Sequence, residues 1–145
     1  MLEIKNLSVC RGKRTVLDDV TLTVTPHKLT ALIGKNGCGK STLVSCINQT
    51  APYIGEISFS GRNLALMRPK ERACLLSFLP QTLFIPHVTV SELVTMGRSP
   101  YVDIGKHLTP RDREAVRDAI FAVKMEAFSN RYLDELSGGE RQKAY

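Results

Sequence analysis

The sequence predicts an α/β chain: an antiparallel strand-rich part comes first, it carries a glycine-rich loop that opens a helix, and a helical part follows. Three observations predict this. VTLTV, Val20 to Val24, alternates apolar residues with threonine, as a half-buried antiparallel strand does. LTALI, Leu29 to Ile33, is almost continuously apolar and runs directly into GKNGCGKST. After about residue 80, alternation gives way to 3.6-residue spacing bounded by helix-capping signals.

Each element follows from its own pattern. Leu2 and Ile4 share one strand phase while Leu7 and Val9 share the other, so a bulge is expected near Lys5 or Asn6, or else two short strands. The run Leu29 to Ile33 reads as a strand buried on both faces. STLVSCINQ has helical spacing at Leu43, Val44 and Ile47. EISFSG is a further alternating strand ending at Gly61, and ACLLSFL, Ala73 to Leu79, reads as another buried strand stopped by Pro80. In VTVSELVTMG, Thr89 and Glu92 form a capping box and Gly97 stops the helix. In LTPRDREAVRDAIFAV, Thr109 is the N-cap, Pro110 occupies the first helical position, and Val116, Ala119, Ile120 and Val123 make the apolar face. There is no internal repeat and no low-complexity segment.

Composition narrows the function classes. The 145 residues suffice for one core. No apolar run reaches the roughly 18 residues of a membrane span, and MLEIKNLSVC lacks the layout of a signal peptide, so a cytosolic chain is expected. Cys10, Cys38, Cys46 and Cys74 lie far apart with no CxxC pair, against a zinc site or a disulfide framework. The net charge of +6 is spread among acidic residues, RPKER at Arg68 to Arg72 being the densest basic run, so solvated surface is expected and not a nucleic-acid groove.

The stretch Gly34, Lys35, Asn36, Gly37, Cys38, Gly39, Lys40, Ser41 and Thr42 fits G-x-x-x-x-G-K-[ST], with a strand expected before it and a helix after it. Glycines let successive N–H groups turn inward around an anion, and the helix N-terminus adds positive potential. Lys40 is expected to reach the β- and γ-phosphates of a nucleoside triphosphate, and the Ser41 hydroxyl to ligate Mg²⁺. Cys38 either feels that positive field or is simply a small residue that fits. The loop alone leaves small kinases, GTPases and transport ATPases open.

A second anion-directed motif closes the chain. Ser137 and Glu140 form a capping box, which explains both of them but not Gly138 and Gly139, each costing about 1 kcal/mol against alanine in a helix. LSGGE, Leu136 to Glu140, resembles the signature motif of ABC-type ATPases, with Glu where Gln is usual. The glycine-rich loop, Gln81 in FLPQ and the signature stand in that family's order and near its spacing, and the resemblance covers the whole chain. It implies the N-terminal part of an ABC ATP-binding domain. An antiparallel β subdomain with the loop's strand and helix would fill residues 1 to about 85, a helical subdomain would follow from about 86 to 145, and the C-terminal half of the parallel core would be missing.

The resemblance further implies ATP and Mg²⁺ as ligands, and two ATP-binding domains packed head to tail. Ser137, Gly138, Gly139 and Glu140 of one would then meet the ATP held by the other. Gln81 would be the glutamine that senses Mg²⁺ and attacking water and links to membrane-spanning permease subunits, at the cytoplasmic face of the membrane. VTVSELVTMGRSPY and LSGGERQKAY are similar to ATPases of iron–siderophore, haem and vitamin B12 importers. Arg11 stands where the family places an adenine-stacking aromatic; it either stacks on the base or is ordinary surface. The family's Walker B Asp, catalytic Glu and γ-phosphate His have no counterpart here, since His27, His87 and His107 all precede the signature. The expectation is therefore little or no hydrolysis by this chain alone, and marginal stability. A non-hydrolysing binding or docking module, and a soluble ABC protein without a membrane partner, remain alternatives.

Overall fold

The computed structural model describes residues 1–82, 84–103 and 105–145. They fall into two compact units, Met1–Arg72 and Ala73–Tyr145.

The first unit is built on β1 (Leu2–Arg11), β2 (Arg14–Val24), β3 (Ile54–Phe59) and the short β4 (Arg62–Asn63), antiparallel in the order β2-β1-β3-β4. The phase slip in β1 is a bulge. Register breaks between Ile4 and Leu7 against β2 and between Lys5 and Ser8 against β3, with Asn6 left-handed at φ 51°. The extra residue lets Ile4, Leu7 and Val9 all face one core. β2 answers with its own left-handed residue, Asp19, whose carboxylate accepts from Asn6 Nδ2 at 2.8 Å while its N–H donates to Ser8 Oγ at 2.9 Å. Gly55, at φ 110°, passes beside the bulge, where a Cβ would stand 2.4 Å from the Asn6 carbonyl oxygen. Ser60 and Gly61 then turn β3 into β4 with φ of 50° and 79°, the two positive values a tight hairpin requires. α1 (Lys40–Ile47) contacts β2 and buries Thr42, Leu43 and Cys46, while Leu64 and Met67 close the core beyond β4. α2 (Pro69–Ala73) follows.

The second unit is helical: α3 (Val90–Met96), α4 (Pro110–Ala122) and α5 (Gly138–Ala144). Its core gathers Val90, Val116, Ile120, Met125, Leu133, Leu136 and Ala144. All three helices begin on a reciprocal capping box, Thr89 with Glu92, Thr109 with Asp112, and Ser137 with Glu140.

Three expectations are corrected. Leu29 to Ile33 forms no strand, and Leu29 and Ile33 are 100% and 90% exposed. Ala73 to Leu79 forms none either: Ala73 ends α2, and Leu75, Phe78 and Leu79 are exposed. A strand buried on both faces needs a hydrogen-bonded neighbour on each edge, and no described segment pairs with either run. On α4 only Val116 and Ile120 of the expected face are buried, while Ala119 and Val123 line an open groove with Leu93, Met96 and Tyr145.

Asp112 is the buried carboxylate that organises α4. It accepts from Thr109 Oγ1 at 2.6 Å, from Arg98 Nε and Nη2 at 3.1 and 2.8 Å, and from the Thr109 N–H at 3.0 Å. The Thr109 hydroxyl first, and then Arg98, lower its pKa from 3.8 to about 2. A depressed carboxylate stabilises the fold above its ordinary pKa, and that contribution fades as pH falls through the folded value. Asp112→Asn should therefore be less stable than the parent chain at pH 7 in urea denaturation, with the gap closing between about pH 4 and about pH 2. A gap independent of pH would show that the charge contributes nothing.

Candidate functional site

The loop Gly34 to Thr42 is shaped by two glycines in left-handed conformation, Gly37 at φ 79° and Gly39 at φ 99°. At Gly37 a Cβ would meet nothing, so backbone angle alone selects glycine there. At Gly39 space selects it as well: a Cβ would lie 2.7 Å from Leu17 Cδ2 and 3.1 Å from the Val16 carbonyl oxygen. Gly39 is the N-cap of α1 and contributes no side-chain cap, and the first turn holds no acidic residue. The opening N–H groups of α1 are thus left for an external acceptor, with the positive end of the helix behind them.

Lys40 closes the loop on itself. Its ammonium donates to the carbonyl oxygens of Gly34 at 2.7 Å and Lys35 at 2.8 Å, and contacts Cys38 Sγ at 3.9 Å. Cys38 packs over Gly34, where an added Cβ would stand 2.8 Å from the thiol sulfur, so a small side chain at 38 and none at 34 satisfy the same constraint. Lys35, Asn36 and Ser41 are exposed, whereas Thr42 turns into the core. Arg11 lies exposed at the β1–β2 hairpin, paired across it with Arg14.

Gln81 and the SGGE segment belong to the second unit. The lead-in to Ser137 is tied down by backbone bonds from Leu133 N to the Val88 oxygen and from Val90 N to the Arg131 oxygen, both 3.0 Å. His87 stacks on Tyr132 with centroids 4.3 Å apart and bonds Asp134 at 3.0 Å. Leu133 and Leu136 anchor the segment in the core, so Ser137 emerges from a fixed turn. Glu140 accepts from Ser137 Oγ at 2.7 Å and from its N–H at 2.8 Å, and these bonds hold its carboxyl below the usual range. A Cβ at Gly138 or Gly139 would meet nothing within 4 Å. The chain's own packing therefore gives no reason for glycine at either position.

Gln81 is exposed and lines one groove with Gly138, so the structure brings together two motifs that stand 57 residues apart in sequence. Leu17, by contrast, was silent in the sequence: nothing in VLDDV marks it as the wall against which the loop glycine rests.

Ser137→Ala should cost about 1 kcal/mol through loss of the cap. Gly138→Ala should leave stability unchanged or raise it by up to about 1 kcal/mol. Denaturant titration checks both, and a destabilising Gly138→Ala would reveal an internal constraint at that position.

Comparison with known proteins gives a consistent result. The profile of a family described as ABC transporter matches residues 17–145. The probable siderophore transport system ATP-binding protein YusV of Bacillus subtilis (strain 168) is 39% identical over 146 residues, covering 99% of this chain and 53% of that protein. The hemin import ATP-binding protein HmuV of Chelativorans sp. (strain BNC1) is 37% identical over 145 residues, covering 99% and 54%. Among solved structures, an ATP-binding subunit of an ABC transporter superposes with a TM-score of 0.83 at 28% identity, covering 99% of this chain and 58% of that one. The chain spans about half the length of the curated relatives it matches.

Proposed function

Because the chain belongs to the ABC transporter family, we propose that it is the nucleotide-binding part of an importer's ATPase subunit, of the class that serves iron–siderophore or haem uptake. The relatives named for siderophore and hemin import support that cargo class. The observation that carries nucleotide binding is the loop itself: an α1 N-terminus without a side-chain cap, beside an ammonium that already satisfies two loop carbonyls. Such a donor set fits the phosphates of ATP, with Gly34, Lys35, Asn36, Gly37, Cys38 and Gly39 forming the cradle and Lys40 neutralising charge on the outer phosphates. Ser41, whose hydroxyl is exposed, and Gln81 are each assigned to Mg²⁺, which takes oxygen donors of their kind, and Thr42 holds α1 to the core behind Ser41. When bound, the cation supplies charge neutralisation at the phosphates. Arg11 is assigned to the adenine face.

Ser137, Gly138, Gly139 and Glu140 are assigned to the nucleotide of a second ATP-binding domain, packed head to tail. The empty surroundings of both glycines support this, since they leave room for an approaching group. Gln81 is assigned to communication with membrane-spanning permease subunits. The site of action is the cytoplasmic face of the membrane; among the described residues no helix is long and apolar enough to cross it.

Calorimetric titration of Mg-ATP should show saturable binding by the parent chain, weakened at least tenfold, about 1.4 kcal/mol, in Lys40→Ala. Equal heats from both proteins would remove the loop from the account.

A further inference from the structure

Of the chain's five asparagines only Asn36 precedes a glycine; Asn6, Asn48, Asn63 and Asn130 are followed by Leu7, Gln49, Leu64 and Arg131. A turn closed from the Cys38 N–H to the Lys35 carbonyl at 3.3 Å places Asn36 and Gly37 at its two central positions, with Gly37 left-handed at φ 79°. Both residues are exposed, and among the described residues neither the Asn36 carboxamide nor the Gly37 N–H has a hydrogen-bond partner. A Cβ at Gly37 would meet nothing within 4 Å, so the space beside its nitrogen is open. Two positive features stand close by: the uncapped start of α1, whose N-cap is Gly39, and the Lys40 ammonium, 2.8 Å from the Lys35 carbonyl oxygen. Positive potential favours the anionic form of an amide that gives up its proton. The side chains of Asn6 and Asn63 are committed instead, the first donating to Asp19 and the second accepting from the Ala65 N–H.

We propose that Asn36 is a site of spontaneous modification, at which the chain's own Gly37 nitrogen attacks the carboxamide and the loop acquires a carboxylate. The Gly37 N–H loses its proton and the nitrogen bonds to Asn36 Cγ. The bond from Cγ to Nδ2 breaks, and that nitrogen leaves as ammonia with the proton, closing a five-membered imide. Water then opens the ring. Attack at the backbone carbonyl gives isoaspartate, and attack at Cγ gives aspartate; water is the sole co-reactant and nothing is oxidised or reduced. The consequence for binding rests on the phosphate-binding role proposed for the loop. Isoaspartate lengthens the backbone by a methylene and sets a negative charge among N–H groups suited to an anion, so affinity for Mg-ATP falls.

Incubation of the whole folded chain in mildly alkaline buffer, followed by digestion in acid and peptide mass spectrometry, tests it. Peptides carrying residue 36 should gain the mass of –OH in place of –NH₂ roughly tenfold faster, or more, than peptides carrying any other asparagine. The product should accept a methyl group from S-adenosylmethionine through an isoaspartyl methyltransferase. Gly37→Ala should slow the gain severalfold. Asn36→Gln, whose ring would need six members, should abolish it at that position, and it carries the comparison should Gly37→Ala disturb the loop. After conversion the parent chain should bind Mg-ATP roughly tenfold more weakly than when fresh, whereas incubated Asn36→Gln keeps its own fresh affinity. Mass and affinity are read separately, so a fresh chain without affinity for Mg-ATP would sink the binding role of the loop and not the modification. No mass gain at residue 36, a gain no faster than at the other asparagines, or one that persists in Asn36→Gln would overturn the modification. An affinity unchanged by conversion would overturn its consequence.

Discussion

A side chain at position 39 would collide with Leu17, and much of the first unit follows from that contact. Because Gly39 lies against β2, the N-terminus of α1 is pinned to the sheet with its opening N–H groups uncapped. Leu17 in turn stands where it does because β2 is registered on β1 through facing irregularities, Asn6 in one strand and Asp19 in the other. Gly55 accommodates the same bulge from β3. A one-residue slip in this sheet would invert the faces of its strands and move the wall on which the loop rests. The shape of the loop at residues 34–42 is thus a consequence of strand register as much as of its own glycines, and Lys40 completes it by bonding the two carbonyls that begin the loop.

The second unit solves a different problem, presenting a short helix with an open start. The three capping boxes use one device with different emphasis. At α4 the acid is buried and shared with Arg98, so it joins the end of α3 to the start of α4. At α5 the acid is committed only to Ser137, and the two glycines that follow are in open surroundings. Rigidity therefore comes from the segment before the helix, where His87, Tyr132, Asp134 and the buried Leu133 fix the direction of approach. A helix held from behind and bare in front is suited to meeting something outside the chain.

What the sequence disclosed depended on whether a feature is local. The bulge was visible as a change of phase between Ile4 and Leu7, and the caps as Thr-x-x-Glu, Thr-Pro and Ser-x-x-Glu, because each is decided within a few residues. The glycine-rich loop was legible because its left-handed glycines, Gly37 and Gly39, stand within a short fixed spacing. Leu29 to Ile33 and Ala73 to Leu79 misled: continuous apolarity states that a segment is suited to burial, but pairing needs a neighbour that the pattern cannot supply. Ala119 and Val123 misled on a smaller scale, since the groove they line is set by α3 and the end of α5. The crowding at Gly39 was invisible, because it is a three-dimensional relation between residues whose local sequence is ordinary.

The central claim is that register in the sheet holds residues 34–42 ready to receive phosphate. Backbone amide NMR shifts, followed while Mg-ATP is titrated into the chain, test it most directly. The account predicts that the largest changes fall on the amides of Gly37 to Ser41 and saturate together with a single dissociation constant. Changes concentrated in Ala73–Tyr145, with Gly37 to Ser41 unmoved, would contradict it.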